Sequence, residues 1–271
     1  MNAPVLSQFD LAIAASLILL NAAVSWGFRL GLERTLATTA LRMVVQLSLV
    51  GFVLTFVFAQ TSPAWTIAVA FVMAVAAGYE VVSRQQRRLA GPVPFVLGTG
   101  TLLFVGTLFS VIAVAGLIGP EPWYAPRYLL PVLGMVLGNA MTGVSLVLDS
   151  ITSAAVREQR QIEAQLALGA SRFEAFSDVL RRGLTTGLMP ILNAMAAAGV
   201  VSLPGMMTGQ ILAGADPVEA AKYQMMILFV IAGATALSVL LAGFAAVRLL
   251  TDERHRLRLE RLLPATSSAW F

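Results

Sequence analysis

Cysteine is absent from this chain of 271 residues. That removes disulfides, thiolate metal sites, thiol nucleophiles and haem attachment together. One histidine is present, His255, so no multi-histidine metal site can form within one copy. The only lysine, Lys222, follows Ala221. A phosphate-binding loop of the G-x-x-x-x-G-K-[ST] type needs a Gly-Lys pair, so this chain holds no such nucleotide site. Charge is scarce as well: 12% of residues are Asp, Glu, Lys or Arg, against about 25% in soluble domains.

What remains is apolar. Hydrophobic residues make up 58% of the chain and the mean hydropathy is +0.82. Long apolar runs of about 20 residues with few charges are membrane spans. The expected fold is therefore an all-α integral membrane protein, a single permease-like domain over residues 1–271. Seven spans can be drawn: Asp10–Phe28, Met43–Gln60, Ala64–Val82, Phe95–Ile118, Leu129–Ile151, Leu184–Leu203 and Gln224–Leu249. Arg29, the first basic residue, follows the first apolar run, unlike the positive start of a cleaved signal peptide. That run reads as an uncleaved helix.

Arginine placement orients the drawing. The segments after spans one, three, five and seven hold 16 of the 18 basic residues, leaving Arg127 and Lys222 opposite. The arginine-rich side faces the cytoplasm, which also accounts for the pI of 10.1 without nucleic acid. The expectation is N-terminus out, C-terminus in, an odd number of spans, and a bacterial inner-membrane location. The tail "TDERHRLRLERLLPATSSAW" reads as a short helix with a frayed end.

The longest charged stretch contains "EAQLALGASRF", Glu163 to Phe173. Apolar or small residues recur at Ile162, Leu166, Gly169, Phe173, Phe176 and Leu180, the stripe of a helix lying along a surface. Gly169 suits the left-handed position that ends a helix. Ser171 begins "SRFE", a capping box in which Glu174 returns to the Ser171 amide. The expected product is an elbow between spans five and six. A stiff solvated loop, a DNA-reading helix-turn-helix and a docking elbow for a cytosolic motor all fit that local pattern. Entry of both ends into the bilayer disfavours docking in a DNA groove.

Two resemblances bear on this choice. "EAQLALG" resembles the EAA---G signature of ABC-transporter permeases, with Glu163, Ala164 and Gly169 at its spacing. The importer version continues to an I-x-L-P element, whereas this chain reads Val179-Leu180-Arg181-Arg182 and has its proline at Pro190. "GMVLGNAMTGVSL" (134–146) and "GLMPILNAMAAAGVVSLPGMMTGQILAGADPVEAAKYQMMILF" (187–229) resemble the FetB/YbbM-type permease family, with bacterial iron-export permeases and plant aluminium-tolerance relatives linked to nucleotide-sugar transport. The resemblance implies a permease homodimer with two copies of a separately encoded ATPase that binds ATP and Mg, and no cofactor in this chain. It also implies coupling through the elbow, with Glu163, Ala164, Leu168, Gly169, Ser171, Arg172 and Glu174 as contact candidates. Iron or another metal, a metal complex, a nucleotide sugar or another small solute all remain as cargo. A non-transporting scaffold is the rival from another class; an intramembrane enzyme lacks any nucleophile–base set in the spans.

For a substrate path, the candidates are Asn139, Ser202, Met206, Met207 and Gln210. Pro204-Gly205 breaks a helix, and the segment before Asp216-Pro217-Val218-Glu219 reads as re-entrant, with freed carbonyls at an outer gate or as an ordinary outer loop. Glu80 and Asp149 lie near span ends and read as interfacial. Asn139 beside Gly134-x-x-x-Gly138 either ties two helices together or faces a path. Met135, Met141, Met189, Met195, Met206, Met207, Met225 and Met226 are soft donors or core fillers; no metal ligand set is identified.

Overall fold

The structure is a computed structural model and describes residues 7–59, 62–85 and 87–263. It is an all-α integral membrane protein; among the described residues, extended pairing is limited to isolated bridges. Ten α-helices run in order: α1 Gln8–Gly27, α2 Glu33–Phe58, α3 Pro63–Ser83, α4 Val93–Val111, α5 Pro126–Arg157, α6 Gln159–Ala167, α7 Arg172–Ala175, α8 Ser177–Ala197, α9 Gly205–Leu212 and α10 Pro217–Leu249. A π-helical stretch, Ile112–Ile118, continues α4 and stops at Gly119, whose φ is 66°.

The helix starts are written locally. Pro63, Pro126 and Pro217 occupy first positions, where the missing N–H costs nothing. Ser7 caps α1 in a reciprocal box with Asp10. Asp216 caps α10 by accepting from the amides of Val218 and Glu219 at 2.9 and 3.1 Å, as the sequence predicts.

Among the described residues, six helical segments are long and apolar enough to cross a membrane: Phe9–Gly27, Glu33–Phe58, Pro63–Ser83, Val93–Ile118, Pro126–Arg157 and Pro217–Leu249. These match six of the seven drawn spans. The drawn span Leu184–Leu203 falls on α8, which starts earlier and ends at Ala197. Asp178, Arg181, Arg182, Thr185, Thr186 and Asn193 dilute its hydropathy.

α5 is the central post. It packs against α3, α4, α8 and α10, and two buried clusters run along it. One, at the end bearing α6 and α7, joins Ala74 and Val81 of α3, Val144, Val147 and Ile151 of α5, and Ala246 and Val247 of α10. The other, toward the opposite end, joins Val105, Val136, Ile191, Ile227 and Ile231. Glycine permits the tightest crossing. A Cβ on Gly143 would lie 2.9 Å from the Gly187 carbonyl oxygen, and one on Gly187 would lie 2.8 Å from the Gly143 oxygen. Backbones of α5 and α8 therefore touch there, as small residues allow in membrane helices. By contrast, α1 and α2 pack mainly on each other, with the Arg42–Glu80 ion pair linking α2 to α3. Their outward Leu, Val and Phe side chains are exposed.

The expected short helix in the tail is not what forms. Thr251 pairs with Leu257 and Leu262 with Leu89 as isolated antiparallel bridges, and among the described residues of the tail the helical turn is 3-10, at Leu259–Arg261. Asp252 explains the turn: its Oδ1 accepts from the Arg254 and Arg256 amides at 2.9 and 2.8 Å, closing a loop instead of a helix. The expected fray lies outside the described residues.

Candidate functional site: the elbow at Gly169

The predicted break occurs where the spacing places it. α6 closes with two reversed bonds: the Gly169 amide donates to the Leu166 oxygen and the Ala170 amide to the Gln165 oxygen, both at 3.1 Å. This is a Schellman end, and it requires the Gly169 φ of +94°, which L-residues rarely adopt. Ser171 then starts α7. Its amide donates to Glu174 Oε2 at 2.7 Å, and the Glu174 amide donates to Ser171 Oγ at 3.4 Å. These bonds from Ser171 favour the ionised Glu174 carboxylate and hold its pKa below the usual carboxylate range.

One face of the elbow is anchored. Ile162 and Phe176 are fully buried, and Ala175, Val179 and Leu180 join the same cluster as Ala242, Ala246 and Val247 of α10. Phe173 meets Phe244 of α10 edge-on, with ring centroids 5.5 Å apart. The tail adds a contact that the sequence did not foretell. The Arg172 amide donates to Nδ1 of His255 at 3.0 Å, while Leu257, Leu259 and Leu262 pack on the cluster. Asp252 is held at a pKa of about 2 by the Arg256 amide first, and by the Arg256 side chain and the Arg254 amide. Tail and elbow thus form one surface, with a cleft lined by Arg172, Arg248, Arg254, Arg256 and Arg261.

The other face is bare. Glu163, Ala164, Leu168, Gly169 and Glu174 are exposed, and Ser171 and Arg172 are half-buried. Leu168, at the apex, is 88% exposed although it is wholly apolar. Glu163 accepts only from Gln159, its neighbour one turn earlier, at 2.9 Å. A rigid, core-anchored projection that ends in an exposed leucine is suited to insertion into a cleft of another protein.

The path candidates lie elsewhere. Asn139 is half-buried on α5, and its Nδ2 donates to the Met135 oxygen of its own helix at 2.9 Å; it ties no second helix. Gly134 is approached by Met73 of α3, while Gly138 has nothing near it. The close crossing uses Gly143 with Gly187 instead, while Gly183 of α8 makes room for Ile151 of α5. The signal was legible as Gly183-x-x-x-Gly187. Glu80 is paired with Arg42 and with Arg84.

At the far end, Ser202 is exposed, and Met206, Met207 and Gln210 are half-buried on α9, which packs on α10. Two carbonyls of the break are bonded locally. The Ser202 oxygen accepts from Gly199, and the Pro204 oxygen accepts from the Thr208 amide and hydroxyl. Pro204 stands at the N-cap of α9, where its missing N–H costs the helix no bond. Gln210 Oε1 and Gln224 Oε1 are buried without hydrogen-bond partners. Among the described residues, no group of three His, Asp or Glu side chains could hold a metal ion.

Comparison with known proteins bears on this membrane fold and its elbow. A family model, described as "Uncharacterised protein family (UPF0014)", matches residues 8–250. The chain belongs to this family. Among UPF0014 relatives, it is 34% identical to the UPF0014 membrane protein slr1647 of Synechocystis over 80% of this chain and 83% of that one. It is 29% identical to the Probable iron export permease protein FetB of Escherichia coli over 97% and 99%. It is 31% identical to Protein ALUMINUM SENSITIVE 3 of Arabidopsis over 84% and 81%. No solved structure matches. Its place in UPF0014 beside these relatives, with its apolar helices, makes the chain a multi-pass bacterial membrane permease.

Proposed function

We propose that this permease is the membrane subunit of an ABC transporter that exports iron or another metal, free or as a complex. A separate ATPase, in two copies, binds ATP and Mg and docks on the elbow of a permease homodimer. The observation that carries this reading is the elbow itself. Gly169 and the Ser171–Glu174 box fix its bend, Phe173 meets Phe244 of α10, and Leu168 projects where a cytosolic cleft can receive it. The cargo rests on the name of the Escherichia coli relative.

In this reading the chain lies in the inner membrane with the arginine-rich elbow end in the cytoplasm. α8 is the seventh span, packed against α5 and α10. Rotation or bending of the elbow moves α8 and α10 together, because Leu180 and Leu184 pack against Gly243. α9 forms part of the outer end of the path. The test is reconstitution of both subunits in proteoliposomes, with iron(II), other metals and nucleotide sugars offered in turn. ATP-dependent metal movement is the expected result. Absence of any ATPase that the permease binds or stimulates would refute the reading.

A further inference from the structure

The arginine cleft beside the elbow, about 620 Å³ in volume, does not stand alone. It shares Arg261 with a hollow of about 240 Å³ whose other walls are Leu89, Ala90, Val93, Pro94 and Leu249. That hollow in turn shares Leu89, Pro94 and Leu249 with a narrow crevice. Leu97, Gly98 and Thr101 of α4 form one wall of the crevice, and Ala245 and Ala246 of α10 form another. The three spaces therefore follow one another. Guanidiniums line one end and hydrocarbon lines the other.

The basic end has charge to spare. Five arginines face two carboxylates, Asp252 and Glu253. Asp252 is already committed, because Arg256 Nε donates to its Oδ2 at 2.9 Å and Arg258 Nη2 lies 3.1 Å from the same oxygen. Among the described residues, the side chains of Arg172, Arg248 and Arg254 have no ion pair. Their backbone is nevertheless held. Arg248 is in the last turn of α10, the Arg254 amide is bound by Asp252, and the Arg172 amide by His255. Guanidiniums on a fixed backbone, without carboxylates of their own, suit the oxygens of a phosphate.

The apolar end opens toward lipid. Val93 and Leu97, in the opening turns of α4, are exposed, and they begin a segment long and apolar enough to cross a membrane. A soluble anion gains nothing from the crevice, and a plain hydrocarbon gains nothing from the arginines. We propose that cleft, hollow and crevice form one site for an anionic phospholipid of the leaflet on the elbow side. Arg172, Arg248 and Arg254 hold its phosphate, and one acyl chain lies between α4 and α10. Basic pockets beside membrane helices hold anionic headgroups in this way. The lipid bridges α4 to the tail and, through Arg172, to the elbow. The inference does not depend on the transporter reading, since it needs no ATPase and no cargo.

The test uses the full-length permease alone, purified in detergent and stripped of lipid. Native mass spectrometry follows binding of phosphatidylglycerol and, in parallel, of phosphatidylcholine; inorganic phosphate is added as a competitor. One variant combines Arg248→Gln with Arg254→Gln, both exposed. Two others, Ala245→Leu and Thr101→Leu, fill the crevice from opposite walls, so that misfolding of one leaves the other to report; helix content is measured for each. The wild type is expected to hold phosphatidylglycerol several-fold more tightly than phosphatidylcholine. The arginine variant should lose at least about tenfold in affinity for phosphatidylglycerol, and a folded crevice variant should lose severalfold. Equal binding of the two lipids, or wild-type affinity in the arginine variant, would overturn the headgroup site. Normal phosphatidylglycerol binding in a folded crevice variant, or its displacement by equimolar inorganic phosphate, would mean a site for a soluble anion and overturn the lipid.

Discussion

Replacing Gly169 by valine isolates the elbow's bend from everything else the chain does. A Cβ at this position meets nothing within 4 Å, so the substitution creates no clash. Its whole cost is conformational. Left-handed backbone costs an L-residue about 1–2 kcal/mol, and a φ of +94° lies beyond the usual left-handed value of about +57°. A β-branched side chain sits at the upper end of that range or above it. One to two kcal/mol shifts an equilibrium by about 5–30-fold. The buried anchors Ile162 and Phe176 are untouched, so the loss is confined to the turn between α6 and α7. Gly169→Asn serves as the control, because asparagine tolerates the left-handed region. The assay is transport per ATP hydrolysed in proteoliposomes holding permease and ATPase, with the amount of inserted permease measured alongside. Gly169→Val should insert normally and lose coupling severalfold, with Gly169→Asn between it and the wild type. Equal coupling in all three proteins would refute the role given to the bend, as would asparagine failing as badly as valine.

Gly187→Ala should lower the melting temperature in detergent, because its Cβ meets a carbonyl at 2.8 Å that cannot move aside; overpacking of this kind costs about 1–3 kcal/mol. Gly138→Ala, with open space around it, should be neutral or stabilising, and the reverse order would show that the crossing is drawn wrongly. The Asp252 carboxylate, depressed from 3.8 to about 2 by its hydrogen bonds, contributes stability that is fully present above its unfolded pKa and is lost as pH falls through about 2. Amides 254–258 should therefore exchange slowly at pH 4–7 and speed up in Asp252→Asn at neutral pH; unchanged exchange in that variant would separate the tail from this carboxylate. Reporters before Phe9 and after Phe271 should lie on opposite sides of the membrane, and a same-side result would remove the seventh span.

The elbow was legible because its signals are local. A left-handed glycine and a four-residue capping box depend on neighbours in sequence, and Gly169, Ser171 and Glu174 sit as their spacing dictates. The apolar runs of α1 to α5 and α10 were legible for the same reason, since bilayer thickness sets their length. α2 and α10 extend beyond their drawn spans because a helix continues through polar residues such as Glu33 and Arg34 once its hydrogen bonds are in register. α8 was harder to bound: its polar residues are exposed, and its other side, Val179, Gly183, Gly187 and Ile191, is buried by packing on α5 and α10, which no local window contains. The tail's loop around Asp252 and its bond from Arg172 to His255 join residues 83 positions apart, and no periodicity announces such a contact. Nor could composition reveal that Gly143 and Gly187, rather than Gly134 and Gly138, carry the closest approach.

Leu168→Glu addresses the docking role at its apex. Because Leu168 is 88% exposed, the substitution removes no buried contact within this chain and should leave its folding unchanged. In a partner's cleft, full burial of leucine contributes about 1.5–3 kcal/mol, and a charge there adds a desolvation cost. The decisive measurement is the affinity of the cognate ATPase for the permease in nanodiscs, wild type against Leu168→Glu. Loss of at least about tenfold in affinity, the equivalent of 1.4 kcal/mol, is the expected result. Wild-type affinity in the variant would contradict docking through the elbow.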